Sequence, residues 1–276
     1  MALGLIFNAD DYGLTPEVSR GIRDVHLRGI VTSTTCMMNL PGTIMDIRRA
    51  LDITPLLGLG VHLNLTAGAP RLHPLQISSL CTREGRFFKR DELISRLNMI
   101  DISQVKAEWR AQIQTFLVTA QKIPTHLDSH HHSSYFTPAL FRAMLELAQE
   151  FDCAIRLPVL PNTLQLTGLP EEVTEQMQTE FEGLVREFNP RRPDGFLASF
   201  YDKTATPEEV FQFVEGLAEG VYEVMCHPGY ADPYLVSVTG YAHPRQKELE
   251  VLTNPNFRDE LKAQGVQAFV NFANRG

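Results

Sequence analysis

Eight short apolar runs recur along the chain, separated by stretches whose apolar residues repeat at helical spacing. The runs are Leu3–Ala9, Ser33–Met38, Leu59–Leu65, Thr125–Asp128, Ala154–Leu157, Phe196–Phe200, Tyr222–Cys226 and Val266–Phe272. Near-continuous apolar runs suit strands covered on both faces, and parallel neighbours need helical crossovers between them. This pattern predicts an α/β fold with seven or eight parallel strands. At 276 residues a closed or nearly closed, TIM-like (β/α) barrel fits better than an open doubly wound sheet. No repeat, low-complexity tract or linker interrupts residues 1–276, so a single domain is expected.

Three of the intervening helices carry the same start signal, a capping Thr followed by Pro at the first helical position: Thr15-Pro16, Thr137-Pro138 and Thr206-Pro207. Stripes follow each: Val18, Ile22 and Val25; then Leu140, Phe141, Met144, Leu145 and Ala148; then Val210, Phe211, Val214 and Leu217, with Gly220 closing the last. A fourth helix is expected over Ser103–Gln121, presenting Val105, Trp109, Ile113 and Phe116 to the core. Two segments break the alternation, Ala67–Ile100 (apart from a helical patch near Glu92–Leu97) and Pro228–Arg245. Both follow strands that carry candidate site residues, and are expected to form the rim of one pocket.

Composition narrows the function. A formal net charge of −8 opposes nucleic-acid binding and docking on anionic membranes, and no apolar run is long enough to cross a bilayer. The N-terminus lacks the basic start and cleavage site of a signal peptide. Cys36, Cys81, Cys153 and Cys226 are scattered with no C-x-x-C pair, which suits reduced thiols in the cytoplasm.

Four polar clusters sit at strand ends, where barrel enzymes build their sites. The first is Asn8-Ala9-Asp10-Asp11-Tyr12-Gly13, with two adjacent carboxylates. The second is Gly60-Val61-His62-Leu63-Asn64-Leu65; strand alternation puts His62 and Asn64 on the face opposite Val61, Leu63 and Leu65. The third, Thr125-His126-Leu127-Asp128-Ser129-His130-His131-His132, holds four of the nine histidines. The same alternation groups His126, Asp128 and His130 against Leu127 and favours His130 over His131 as the inward ligand. The fourth is Val224-Met225-Cys226-His227-Pro228-Gly229. A carboxylate with two imidazoles suits a catalytic divalent ion of the zinc type, or another such ion. A bound cation of this kind lowers the pKa of water toward ~7 and polarises a carbonyl, as hydrolysis requires. The second carboxylate and the further His would supply a base and an acid.

At these residues the sequence resembles a known family. Asn8-Ala9-Asp10-Asp11-Tyr12-Gly13-Leu14, Gly29-Ile30-Val31-Thr32-Ser33-Thr34-Thr35, Thr125–His132 and Cys226-His227-Pro228 look like the YdjC carbohydrate deacetylases, which include the chitooligosaccharide deacetylases. The resemblance runs from Leu3 into Pro244–Thr253. It implies a distorted (β/α) barrel of the polysaccharide-deacetylase type, one divalent metal ion (Mg or Zn) and N-acetylated mono- or oligosaccharide substrates containing N-acetylglucosamine; a homodimer accords with it. Carried onto matching positions, it implies that Asp11, His62 and His130 hold the metal, Asp10 is the general base and His227 the general acid. Arg156, in the matching Arg156-Leu157-Pro158 segment, would orient a carboxylate or the substrate, with Asp128 and Asn64 beside it in a supporting or substrate-contacting role. Two other readings stay open: a different metallohydrolase acting on an amide or phosphoester, and a catalytically silent metal- or sugar-binding protein.

Overall fold

The computed structural model describes residues 2–157 and 171–273. Pro158, in the segment compared with the family above, lies outside them. The eight expected strands are present: β1 (Leu3–Tyr12), β2 (Ser33–Cys36), β3 (Gly58–Leu63), β4 (His126–Ser129), β5 (Ala154–Ile155), β6 (Gly195–Leu197), β7 (Gly220–Cys226) and β8 (Ala268–Phe269). Their order is β5-β4-β3-β2-β1-β7-β6, with β8 pairing β1, and the described ladders run parallel. This is the parallel α/β architecture of the distorted (β/α) barrel type expected from the sequence, with β5 and β6 at the ends of the strand order.

Helices fill the crossovers: α1 (Pro16–Arg28), α2 (Thr43–Ile53), α3 (Arg90–Ser95), α4 (Ile102–Ala120), α5 (Pro138–Glu150), α6 (Glu171–Phe188), α7 (Pro207–Val214), α8 (Pro233–Val238), α9 (Ala242–Leu252) and α10 (Phe257–Ala263). Thr15, Thr137 and Thr206 each accept the expected capping hydrogen bond, from Val18, Leu140 and Glu209 N–H respectively. Val18, Ile22 and Val25 of α1, and Val105, Trp109, Ile113 and Phe116 of α4, are buried as their spacing requires. Two expectations need correction. Helix α7 stops at Val214, well before Gly220, because Gly216 takes a left-handed φ of 77°. Pro228–Arg245 is no plain connection: Asp232 caps α8 within it, and α9 begins before its end.

The chain contacts cluster into two compact units, residues 1–36, 42–60 and 193–276 in one, and 37–41 and 61–192 in the other. The first unit holds β1, β2, β6, β7, β8, α1, α2 and α7–α10. The second holds β4, β5 and α3–α6, and β3 divides between them at Gly60 and Val61. In the first unit the core centres on β1, where Leu5, Ile6, Phe7 and Ala9 are fully buried against β7 and Phe7 meets Phe257 edge-on. In the second, α4 and α5 bury Trp109, Phe116, Phe141 and Met144. No helix among the described residues is long and apolar enough to cross a membrane.

The first unit also shows how the end of β1 is held. Asp11 has a φ of 69° and Gly13 one of 94°, and the β1–β2 register shifts between Ala9 and Tyr12. Such angles are unfavourable for a residue with a side chain, so other contacts must fix them. They do: the Gly13 N–H donates to Ser19 Oγ at 3.0 Å, Ser19 Oγ donates to Asp46 Oδ2 at 2.7 Å, and the Tyr12 hydroxyl donates to the Asp46 carbonyl at 2.7 Å. A Cβ on Gly13 would lie 2.1 Å from Thr43 Oγ1, so only glycine fits. Gly13→Ala is therefore expected to lower stability by roughly 1–3 kcal/mol from backbone strain alone, with the clash added. An unchanged Tm in a thermal melt would refute this account of the turn.

Candidate active site

In the first unit Asp10, Asp11 and His227 come together. Asp10 follows the strand alternation: Asn8 Nδ2, two residues earlier on the same face, donates to Asp10 Oδ1 at 2.9 Å. Asp11 would point the other way in an unbroken strand, and its left-handed φ is what re-aims it. The backbone thus turns at Asp11 itself, with Gly13 completing the bend. Both carboxylates are only 2% exposed. Asp11 Oδ2 accepts a hydrogen bond from Arg245 Nη2, on the buried face of α9. His227 follows the end of β7, and its Nε2 lies 3.9 Å from Asp10 Oδ2.

Behind His227 stands Glu248, also on α9. Its Oε2 accepts from the His227 backbone N–H and its Oε1 from the Tyr241 hydroxyl at 2.6 Å. Burial pushes its carboxyl up to about 7, against the pull of these two hydrogen bonds and of Arg245. Helix α1 approaches the segment after His227 closely, since a Cβ on Gly21 would sit 2.7 Å from the Cα of Gly229.

In the second unit His62, Asp128, Arg156 and His130 form a second group. Register pairs His62 with Asp128 across β3 and β4, and His62 Nδ1 is 2.6 Å from Asp128 Oδ1. The other oxygen of Asp128 pairs with Arg156 Nη1 at 3.0 Å, both side chains being fully buried. Arg156 is thus paired with the carboxylate of Asp128. A carboxylate on one ring nitrogen is the arrangement by which a metal-binding imidazole is fixed in orientation.

His130 lies beside His62, ring centroids 5.3 Å apart. The strand-alternation argument for it does not hold, because β4 ends at Ser129 and His130 begins a 3₁₀ turn, with His131 and His132 left-handed at φ 55° and 56°. The turn sets its direction. His131 turns toward Thr66, its Nδ1 lying 3.0 Å from Thr66 Oγ1. Asn64 is fully buried and committed to its own loop: Nδ2 donates to Asn39 Oδ1 and the Ala67 carbonyl, and Oδ1 accepts from the Thr66 and Ala67 N–H groups.

Sequence reasoning missed Arg245, Glu248, Tyr241 and Tyr201. Arg245 and Glu248 are three apart on one helix, both at most 4% exposed, and a buried Arg/Glu pair at that spacing was the available signal.

The chain belongs to the YdjC-like protein family, whose profile matches residues 4–263. It is 32% identical to a carbohydrate deacetylase of Enterococcus faecalis over 95% of this chain and 94% of that one. It is 30% identical to a chitooligosaccharide deacetylase of Yersinia pestis, over 95% of each. A crystal structure from Enterococcus faecalis, described provisionally as a cellobiose-phosphate cleavage protein, matches with a TM-score of 0.86 at 31% identity, covering 99% of this chain and 98% of that one.

Two predictions follow from this geometry. Asp128→Ala removes the carboxylate that joins Arg156 and His62 and is expected to cost roughly 3–5 kcal/mol, whereas an Asp128→Leu/Arg156→Met double variant should recover the part that comes from the buried charge. Denaturant unfolding of both decides; a double variant as unstable as Asp128→Ala refutes the pairing. Glu248, at about 7 folded against an ordinary 4.5, keeps its proton in the folded state where the unfolded chain has lost it. Its contribution is fully present below 4.5 and is lost as pH rises through 7. Glu248→Gln should therefore flatten the fall in stability across that window by on the order of 3 kcal/mol. Parallel stability–pH curves for the two proteins would contradict it.

Proposed function

We propose that this protein is a metal-dependent hydrolase that removes the acetyl group from N-acetylated sugars, such as oligosaccharides containing N-acetylglucosamine. The observation that carries the reading is the buried His62–Asp128–Arg156 relay, which fixes an imidazole as metal-binding histidines are fixed, with a second imidazole beside it. The relatives described as carbohydrate and chitooligosaccharide deacetylases supply the substrate class. We read residues 1–276 as one deacetylase domain, a reading supported by strand β3, whose residues divide between the two units. The segments 67–100 and 228–245 would then form the rim of its pocket.

In this reading Asp11, His62 and His130 hold one divalent ion, magnesium or zinc. One carboxylate and two imidazoles are a donor set that suits either a zinc-like ion or a comparable divalent one. When bound, the ion polarises the acetyl carbonyl and makes water more acidic. Asp10, held by Asn8, takes a proton from the attacking water. As the carbon–nitrogen bond breaks, His227 gives a proton to the departing sugar amine, and acetate is released. The 3.9 Å between His227 Nε2 and Asp10 Oδ2 suits an acid and a base that work on the same bond.

Asp11→Asn is expected to lose metal. Asp10→Asn and His227→Ala should keep it, with Asp10→Asn losing roughly 10²–10⁴-fold in turnover. Elemental analysis and free-amine release, measured on the same three preparations, separate these roles. Loss of metal from Asp10→Asn with retention in Asp11→Asn would reverse the assignment.

A further inference from the structure

Tyr201 is a large aromatic side chain left 43% exposed beside the histidine assigned above as the acid. It is held firmly. Its ring stacks on Tyr241 with centroids 4.1 Å apart and planes 8° from parallel. Both rings meet His227 edge-on, at 5.5 Å from Tyr201 and 5.8 Å from Tyr241. Tyr241 is fixed in turn by its hydroxyl, which donates to Glu248 and accepts from the Asp202 N–H.

The backbone adds a second restraint. Asp202, next in sequence, has a left-handed φ of 54°, which a residue with a side chain adopts only when its surroundings impose it. The Tyr201 carbonyl accepts from both the Thr204 N–H at 3.1 Å and Thr204 Oγ1 at 2.8 Å. Tyr241 covers one face of the Tyr201 ring, and the residue as a whole stays 43% exposed. Packing explains a braced aromatic that is covered; it does not explain one braced this firmly and left exposed.

We propose that the face of Tyr201 turned away from Tyr241 is the platform on which the substrate's sugar ring stacks, the ring that carries the amine released toward His227. The proposal rests on the deacetylase reading above and names the substrate contact of that same site. A pyranose presents a row of C–H groups on one face, and that apolar face suits an aromatic ring, while its hydroxyl edge requires polar partners. A rigid ring beside the proton donor would fix the sugar amine relative to His227 at little cost in conformational freedom.

The test uses the full-length protein with N,N′-diacetylchitobiose as probe. Equilibrium binding is measured by calorimetry in an Asp10→Asn background, to stop turnover, and KM and kcat in the otherwise unsubstituted chain. Tyr201→Phe should keep Kd within about threefold, whereas Tyr201→Ala and Tyr201→Leu should weaken it about tenfold or more, with KM rising and metal content unchanged. If Tyr201→Ala does not fold, the contrast between Phe and Leu carries the same decision, since both fill the space and only one is aromatic. Equal binding by Tyr201→Leu, or equal loss in Tyr201→Phe, overturns the platform. If acetate is released at normal rates while Kd ignores residue 201, the platform fails and the deacetylase reading stands. Binding that follows the aromatic ring in a chain that releases no acetate upholds the platform and removes the deacetylase.

Discussion

A left-handed backbone turn at Asp11 decides what the acidic end of β1 can do. Consecutive residues of a strand point to opposite faces, so two adjacent aspartates cannot serve one centre unless the strand breaks between them. Here it breaks at the second aspartate, and the break is held by polar contacts beneath it. Tyr12, Ser19, Arg23 and Asp46 are all buried, and they bond one another and the Gly13 N–H. Burial raises the Tyr12 pKa despite Arg23, and raises that of Asp46, so the network is costly in itself. A buried polar network is tolerable only when its members are satisfied, and a satisfied one is rigid. That rigidity permits the strained φ at Asp11.

The strands and the Thr-capped helices were legible in the sequence because each depends on local physics: apolar runs for buried strands, and a hydroxyl and a fixed proline φ for helix starts. The elements that escaped notice did so for different reasons. Helix α2 begins after Gly42 with no side-chain cap, so nothing local announces it. Helix α8 has only six residues, too few for a periodicity to show, although its Asp232-Pro233 start repeats the Thr-Pro pattern. Helix α6 does carry a periodic stripe, including Met177, Phe181 and Leu184, and was missed despite it.

The same division runs through the candidate site. His62 and Asp128 could be read from strand alternation because both lie within strands, and their register brings them face to face. His130 could be picked out as a residue, but not by that argument, since the chain has already left the strand. Arg245, Glu248 and Tyr241 lay beyond any strand-end rule. They belong to α9 and its N-cap, 230 residues or more after Asp11, and they matter only because the fold returns there.

Two buried aspartates of the candidate site each face a buried arginine, Asp11 with Arg245 and Asp128 with Arg156. Such pairs are poor devices for stability, because removing two charges from water costs about as much as their attraction returns, and apolar side chains of similar shape often do as well. Their value is in position and charge. An arginine offers a planar fork of donors in fixed geometry, so it holds its carboxylate in one position. For Asp128 this orients His62 through a second bond on the other oxygen. For Asp11 it steadies a side chain whose backbone is already strained. In each case the side chain is set in place before any ligand arrives. Preorganised charge is what catalysis requires of a site and what folding by itself would not select.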